Sequence, residues 1–400
     1  MHEWSRVISS FAGRGCRRTL LQRGAWLAFQ LLVVAEAPAD ESCASGDGVV
    51  GYMQYFVDQQ QLQAWRSDPG NPDCVWLDWP EHRQLSKVEA GELSSRLDAA
   101  QRQTRLKLGA ITVRAVSPET RRTLDFDGIP PQIRTSTAAP AACLAADRHL
   151  HQVQWAQGTP PFVLRLSPAP CPDSKGLVPA GSAVLLSPTI GVTAAHIVNG
   201  KDGHAHCRYR LTPAARPFAA GSQPFGRLQG RVVQHGETPE VRQAAATDHR
   251  VQIQADWAVL AVSPENDDRR LTSQPVWPVW IFGDTRDLGA QRVIKIGFPR
   301  GARFRALRQP GGSVSWLAES VCPQVPIREF GFESDRGDSG GPILELPQDH
   351  PQGWLQLHSW VSTGQQVNLT QPTTLGPRLD LALYERLLAA LRQADVKDRP

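Results

Sequence analysis

From residue 160 onward the chain is never apolar for long. Short apolar runs at 162–166, 183–186, 190–194, 228–233, 257–262, 292–296, 312–317, 342–346 and 355–361 are divided by Gly, Pro and Ser. Runs this short, so punctuated, fit β-strands and not helices, and their number predicts an antiparallel sandwich or a pair of barrels. The 33 Gly and 32 Pro supply the turns that such a fold needs. One helical pattern closes the chain, with Asp380 as its cap and Leu383, Leu387 and Leu391 on one face.

The stretch ahead of this region reads differently. Residues 40–127 look like a small α/β or α+β extension of unknown role. It has a strand over 49–57, a helix over 87–106 opened by a Ser86/Glu89 capping box, and a second strand over 111–116. A pro-region, a docking module and a packed extension all fit. Residues 128–142, rich in Pro and Ala, read as a linker, and 143–400 as the main domain. Residues 1–39 read as an export signal: arginines up to Arg23, an apolar run over 25–35, and Ala37 and Ala39 placed for cleavage. Cys16-Arg17-Arg18 also resembles a twin-arginine signal. The protein is therefore expected outside the cytoplasm, periplasmic or extracellular, with no stable membrane insertion once the signal is removed.

Charge and cysteine usage agree. The net charge is +4, of which the first 39 residues carry +3, leaving no basic stripe for a nucleic acid. Beyond Cys16 there are six cysteines with no C-x-x-C spacing, as suits disulfides in an oxidising compartment. The pairings expected are Cys43–Cys74, Cys171–Cys207 and Cys143–Cys322. The alternating pairs His149/His151 and His204/His206 lack carboxylate or thiolate partners at ligand spacing, so no metal or cofactor is implied. Asn368-Leu369-Thr370 is a glycosylation sequon where the source glycosylates.

Three short segments carry chemistry. Thr193-Ala194-Ala195-His196 follows an apolar strand, Asp256-Trp257-Ala258-Val259-Leu260 puts an acid at the head of another, and Gly337-Asp338-Ser339-Gly340-Gly341-Pro342 sets a serine in a glycine turn. A serine needs a base to become a nucleophile at neutral pH, and histidine titrates in that range. A buried carboxylate fixes the imidazole tautomer. Glycines beside the serine leave backbone N–H groups bare for an oxyanion. The alternative G-x-S-x-G elbow of α/β-hydrolases demands the order Ser, acid, His and alternating helices, neither of which is present.

Taken together, TAAH, DWAVL and GDSGGP resemble the signature motifs of chymotrypsin-like (trypsin-like) serine proteases, in that family's order. The resemblance covers roughly residues 160–394 and implies a mainly β fold: two antiparallel six-stranded barrels with a C-terminal helix. It also implies a serine endopeptidase acting on polypeptides, with His196, Asp256 and Ser339 as the triad and the Gly337 and Ser339 amides as oxyanion hole. Substrate-binding positions would be Glu333, Ser334, His358, Ser359, Trp360 and Val361. Glu333 matches the acid that selects basic residues in trypsin-like members, and His358 resembles the histidine with which glutamyl endopeptidases hold acidic ones. The balance leans to basic substrates. A catalytically silent binding protein on the same scaffold, or a serine esterase, are the competing readings.

Two departures from the family pattern stand out. The disulfide beside the histidine is missing, since Ile197 follows His196. No Ile-Val-Gly-Gly precedes residue 162, so Asp338 lacks the freed amine that pairs with it in zymogen-activated members. The site is expected to assemble without such a cut, with Arg336 or a backbone donor satisfying Asp338.

Overall fold

A computed structural model describes residues 43, 48–108, 111–115, 151–155, 160–168, 181–198, 208–213, 228–246, 248–265, 277–283, 293–298, 314–318, 321–322, 328–330, 334, 337–345, 355–366 and 372–397. Contacts divide the chain into Met1–Ala44 and Ser45–Pro400, and everything below except Cys43 lies in the second unit. The signal and linker segments, Cys143, Cys171, Cys207, the histidines at 149, 204 and 206, Glu333, Arg336 and the sequon lie outside the described residues. Cys43 and Cys74 form a disulfide, as expected.

Strands β1 (Val50–Phe56), β2 (Gln61–Asp68), β3 (Asn71–Trp79) and β4 (Arg83–Gln84) make a meander, followed by α1 (Lys87–Leu108), β5 (Ile111–Ala115) and β6 (His151–Trp155). Next come β7 (Val163–Pro168), β8 (Gly181–Ser187), β9 (Ile190–Thr193), the one-turn helix α2 (Ala195–Val198), β10 (Arg208–Pro213) and β11 (Leu228–His235). Helices α3 (Pro239–Ala245) and α4 (His249–Ala255) lead into β12 (Ala258–Pro264). The remainder is β13 (Val279–Phe282), β14 (Val293–Gly297), β15 (Val314–Ala318), β16 (Val321–Cys322), β17 (Arg328–Phe330) and β18 (Pro342–Glu345). Last are β19 (Gln356–Trp360), β20 (Thr363–Gln366), β21 (Pro372–Gly376) and helix α5 (Leu381–Lys397).

The fold is mainly β, with a closed six-stranded antiparallel barrel, a second large sheet and a C-terminal helix. The barrel runs β10-β11-β12-β9-β8-β7. Strand β8 is buried throughout and β9 on all but its first residue, whereas β10 alternates exposed Arg208 and Arg210 with buried Tyr209 and Leu211. Where the sequence implied a second closed barrel, the described strands lie in an eleven-stranded sheet, β4-β3-β2-β1-β13-β19-β18-β14-β15-β6-β5, and a four-stranded sheet, β16-β17-β21-β20.

The segment read as an extension with its own small fold therefore continues the main sheet. Its link is the antiparallel pairing of β1 with β13, Tyr52 opposite Ile281. Strand alternation explains why β1 and β13 are buried on both sides. Val50 and Phe56 face α1 with Trp65, Val279 and Ile281, in a cluster closed by Leu93 and Leu97. Met53 and Tyr55 face the other way with Leu62, Trp280 and Phe282, joining barrel residues and Leu383, Leu387 and Leu391 of α5. The meander is also pinned by charge. Buried Asp78 accepts from Arg66 Nε at 2.8 Å and from the Tyr384 hydroxyl at 2.7 Å, and Arg392 reaches its backbone carbonyl at 3.1 Å.

Both helix starts anticipated from sequence are capped as expected. Ser86 and Glu89 exchange side chain-to-backbone bonds at the head of α1, and Asp380 Oδ1 accepts the Leu383 N–H at 2.8 Å at the head of α5.

Candidate active site

The histidine sits where β9 ends. Thr193 Oγ1 donates to the Ser182 carbonyl at 2.7 Å, and the chain turns at once into α2, with Ala195 and Ile197 buried and the His196 side chain 39% exposed. Asp256 ends α4 and enters β12 with φ −80° and ψ 64°, a short non-helical step that aims its carboxylate back at α2. The two residues meet twice: the His196 backbone N–H donates to Asp256 Oδ1 at 2.9 Å, and His196 Nδ1 lies 2.8 Å from Oδ2. An ionised carboxylate only accepts, so Nδ1 carries the proton and Nε2 presents a lone pair. Burial pulls the imidazole pKa down, but the charge and hydrogen bond of Asp256, helped by the charge of Glu237, outweigh it and leave the pKa raised.

Asp256 is itself held from the far side of the site. The Ser362 hydroxyl donates to Oδ2, and Trp360 Nε1 donates to the Asp256 backbone carbonyl at 2.9 Å. The segment Trp360-Val361-Ser362 also binds the serine turn, through Gly340 N–H to Val361 O at 2.6 Å and Val361 N–H to Gly341 O at 2.8 Å. One extended segment thus anchors both the acid and the serine turn.

In that turn Gly337 and Gly340 have φ of +103° and +81°, a region open to glycine and strained for other residues. At Gly340 a side chain would also collide with the Ser182 carbonyl and the Thr193 hydroxyl. Ser339 is half-buried, and its carbonyl accepts from Ser182 N–H at 2.8 Å. The Ile197 side chain and the Ser339 carbonyl both crowd the Cα of Gly181, where any larger residue would meet them. That shared contact brings the serine turn and the histidine segment to one place.

The carboxylate next to the serine has a partner that the sequence reading did not name. Lys295 on β14, fully buried, donates from Nζ to Asp338 Oδ2 at 2.6 Å and reaches Ser334 Oγ at 3.4 Å. Ser334 in turn shares a hydrogen bond with Thr374. A lone lysine inside the apolar run Val-Ile-Lys-Ile-Gly was the available signal, since a cation there must face solvent or a buried anion.

The residues assigned to substrate binding are distributed unevenly. Ser334 is buried in the Lys295 network. His358 is buried, with Nε2 2.9 Å from Glu345 Oε2. Ser359 Oγ donates to the Pro377 carbonyl at 2.8 Å, and Trp360 is buried against Asp256 and Val361 against the serine turn. Ser362, three residues beyond Ser359, brings its hydroxyl to the Asp256 carboxylate. No group of three or more metal-ligating side chains occurs among the described residues. No helix among them is long and apolar enough to cross a membrane.

No family model matches the sequence, and no curated protein matches it. Among solved structures the fold is similar to a Glu endopeptidase in complex with MPD: 14% identity, 63% of this chain, 99% of the other, TM-score 0.42. Protease Anisep from Arthrobacter nicotinovorans is 14% identical over 58% of this chain and 95% of the other, with TM-score 0.39. A thermostable serine protease, AL20, from an extremophilic microorganism is 15% identical over 57% and 96%, with TM-score 0.39.

Proposed function

We propose that the chain is an exported serine endopeptidase that cleaves polypeptides through an acyl-enzyme. The observation that carries the reading is the double contact of His196 with buried Asp256, at 2.9 and 2.8 Å, beside a serine held in a turn of positive-φ glycines. In this reading Ser339 Oγ bonds to the scissile carbonyl carbon while its proton passes to His196 Nε2. Asp256 stabilises the imidazolium, and the Gly337 and Ser339 amides bind the oxyanion. The imidazolium then gives its proton to the leaving amine as the C–N bond breaks, and water repeats the sequence on the ester. The oxidised Cys43–Cys74 pair supports an extracytoplasmic site of action.

Cleavage of a peptide library by the purified chain, with Ser339→Ala alongside, tests this. The reading expects cuts that vanish in the variant. Ester hydrolysis without peptide cleavage would make the protein an esterase, and binding without turnover would make it a silent scaffold.

A further inference from the structure

Ser182, on β8 of the barrel, makes more contacts with the serine turn than backbone packing requires. It is fully buried. Its N–H donates to the Ser339 carbonyl at 2.8 Å, and its own carbonyl lies against Gly340. Those contacts belong to the main chain and any residue could make them. The hydroxyl does something else: Oγ donates to the Gly337 carbonyl at 2.7 Å and accepts from the Phe298 N–H, just beyond β14, at 3.0 Å.

A relay therefore runs from Phe298 N–H through the Ser182 hydroxyl to Gly337 C=O. Each bond polarises the next, and the hydroxyl supplies both the donor that a carbonyl needs and the acceptor that an N–H needs. Gly337 is the residue least able to hold its own geometry, because glycine at φ +103° has other open regions. Holding its carbonyl fixes the peptide plane between Gly337 and Asp338, and with it the Cα from which the Gly337 N–H, in the preceding plane, is directed.

We propose that Ser182 is a positioning residue that presets the oxyanion hole by locking Gly337 from across the interface between barrel and second sheet. The inference rests on the protease reading above. It adds that the hole is built by a side chain of the barrel, outside the serine turn itself.

The test compares wild type with Ser182→Ala and with Ser182→Cys, whose thiol keeps the shape but is a weak donor and acceptor. Thermal unfolding establishes that each is folded. Three quantities are then measured on the best peptide substrate: kcat and KM, the affinity of the corresponding peptide aldehyde, and the affinity of the carboxylic-acid product. The aldehyde adds Ser339 Oγ to its carbonyl carbon, the C=O π bond opens to an oxyanion in the hole, and the Oγ proton passes to His196. The proposal expects kcat to fall about 10- to 100-fold in both variants with KM within about twofold. Aldehyde affinity should weaken by a similar factor, while product affinity and the acid limb of the pH profile stay in place. A variant that melts earlier but keeps kcat and aldehyde affinity would overturn it, as would equal loss of aldehyde and product affinity. An active wild type with unaffected variants defeats this inference alone, whereas an inert wild type defeats the protease reading and the inference together.

Discussion

The buried pair Lys295–Asp338 offers the sharpest stability prediction. Both side chains are removed from water, with Nζ and Oδ2 2.6 Å apart. At that distance and an effective dielectric of about 20, the attraction is on the order of 6 kcal/mol, against which stands a desolvation cost of several kcal/mol for each ion. The pair as a whole is close to neutral for stability, but breaking it is not. Lys295→Met leaves the Asp338 carboxylate without this cation and should cost about 3–5 kcal/mol. Asp338→Asn should cost a similar amount for the opposite reason. The double variant removes both charges, so it should lie within about 2 kcal/mol of wild type, a coupling of at least about 4 kcal/mol. Urea unfolding followed by tryptophan fluorescence measures all four proteins at one pH. Additive losses, or a Lys295→Met variant within about 1 kcal/mol of wild type, would refute the reasoning. The same variant bears on maturation. Asp338 separates the two proposed oxyanion donors, so Lys295→Met should lower kcat as well, and a site that relied on a freed N-terminal amine would be indifferent to it.

Other expectations follow from the site and the meander. Because Asp256 raises the His196 pKa, the acid limb of kcat/KM should lie above pH 6.5, and Asp256→Asn, which leaves the lowering effect of burial, should move it down. The same shift means the pair supports the fold fully below about pH 6.5 and loses that contribution as pH rises through the folded value. Ser362→Ala removes a charge-assisted bond to Asp256 Oδ2, and kcat should fall about tenfold with KM little changed. Asp78→Ala strips Arg66 and Tyr384 of a buried acceptor, should cost about 2–4 kcal/mol, and should expose residues 48–108 to limited proteolysis.

What was legible in the sequence was what is local. The strands around His196, Asp256 and Ser339, the capping box of α1 and the cap of α5 each depend on residues a few positions apart. The meander is different. Its attachment depends on β1 pairing with β13, more than two hundred residues away, and no period within residues 48–108 encodes that partner. The same holds for Lys295, forty-three residues from the carboxylate it meets. The stretch His358-Ser359-Trp360 resembles a pocket strand, and nothing local marks Ser362 as the residue that meets the Asp256 carboxylate. Pairing of β18 with β19 skips His358, since Ile343 faces Ser359 and Leu344 faces Leu357. Such a bulge cannot be counted along a sequence, and it turns His358 toward Glu345.

The proposed mechanism makes Ser339 a nucleophile activated by His196 and Asp256. Intact-mass and peptide analysis after fluorophosphonate treatment tests it most directly. A single adduct on Ser339 is expected in wild type, none in Ser339→Ala, and labelling slowed by orders of magnitude in His196→Ala. An unlabelled wild type, or an adduct that persists in Ser339→Ala, would contradict it.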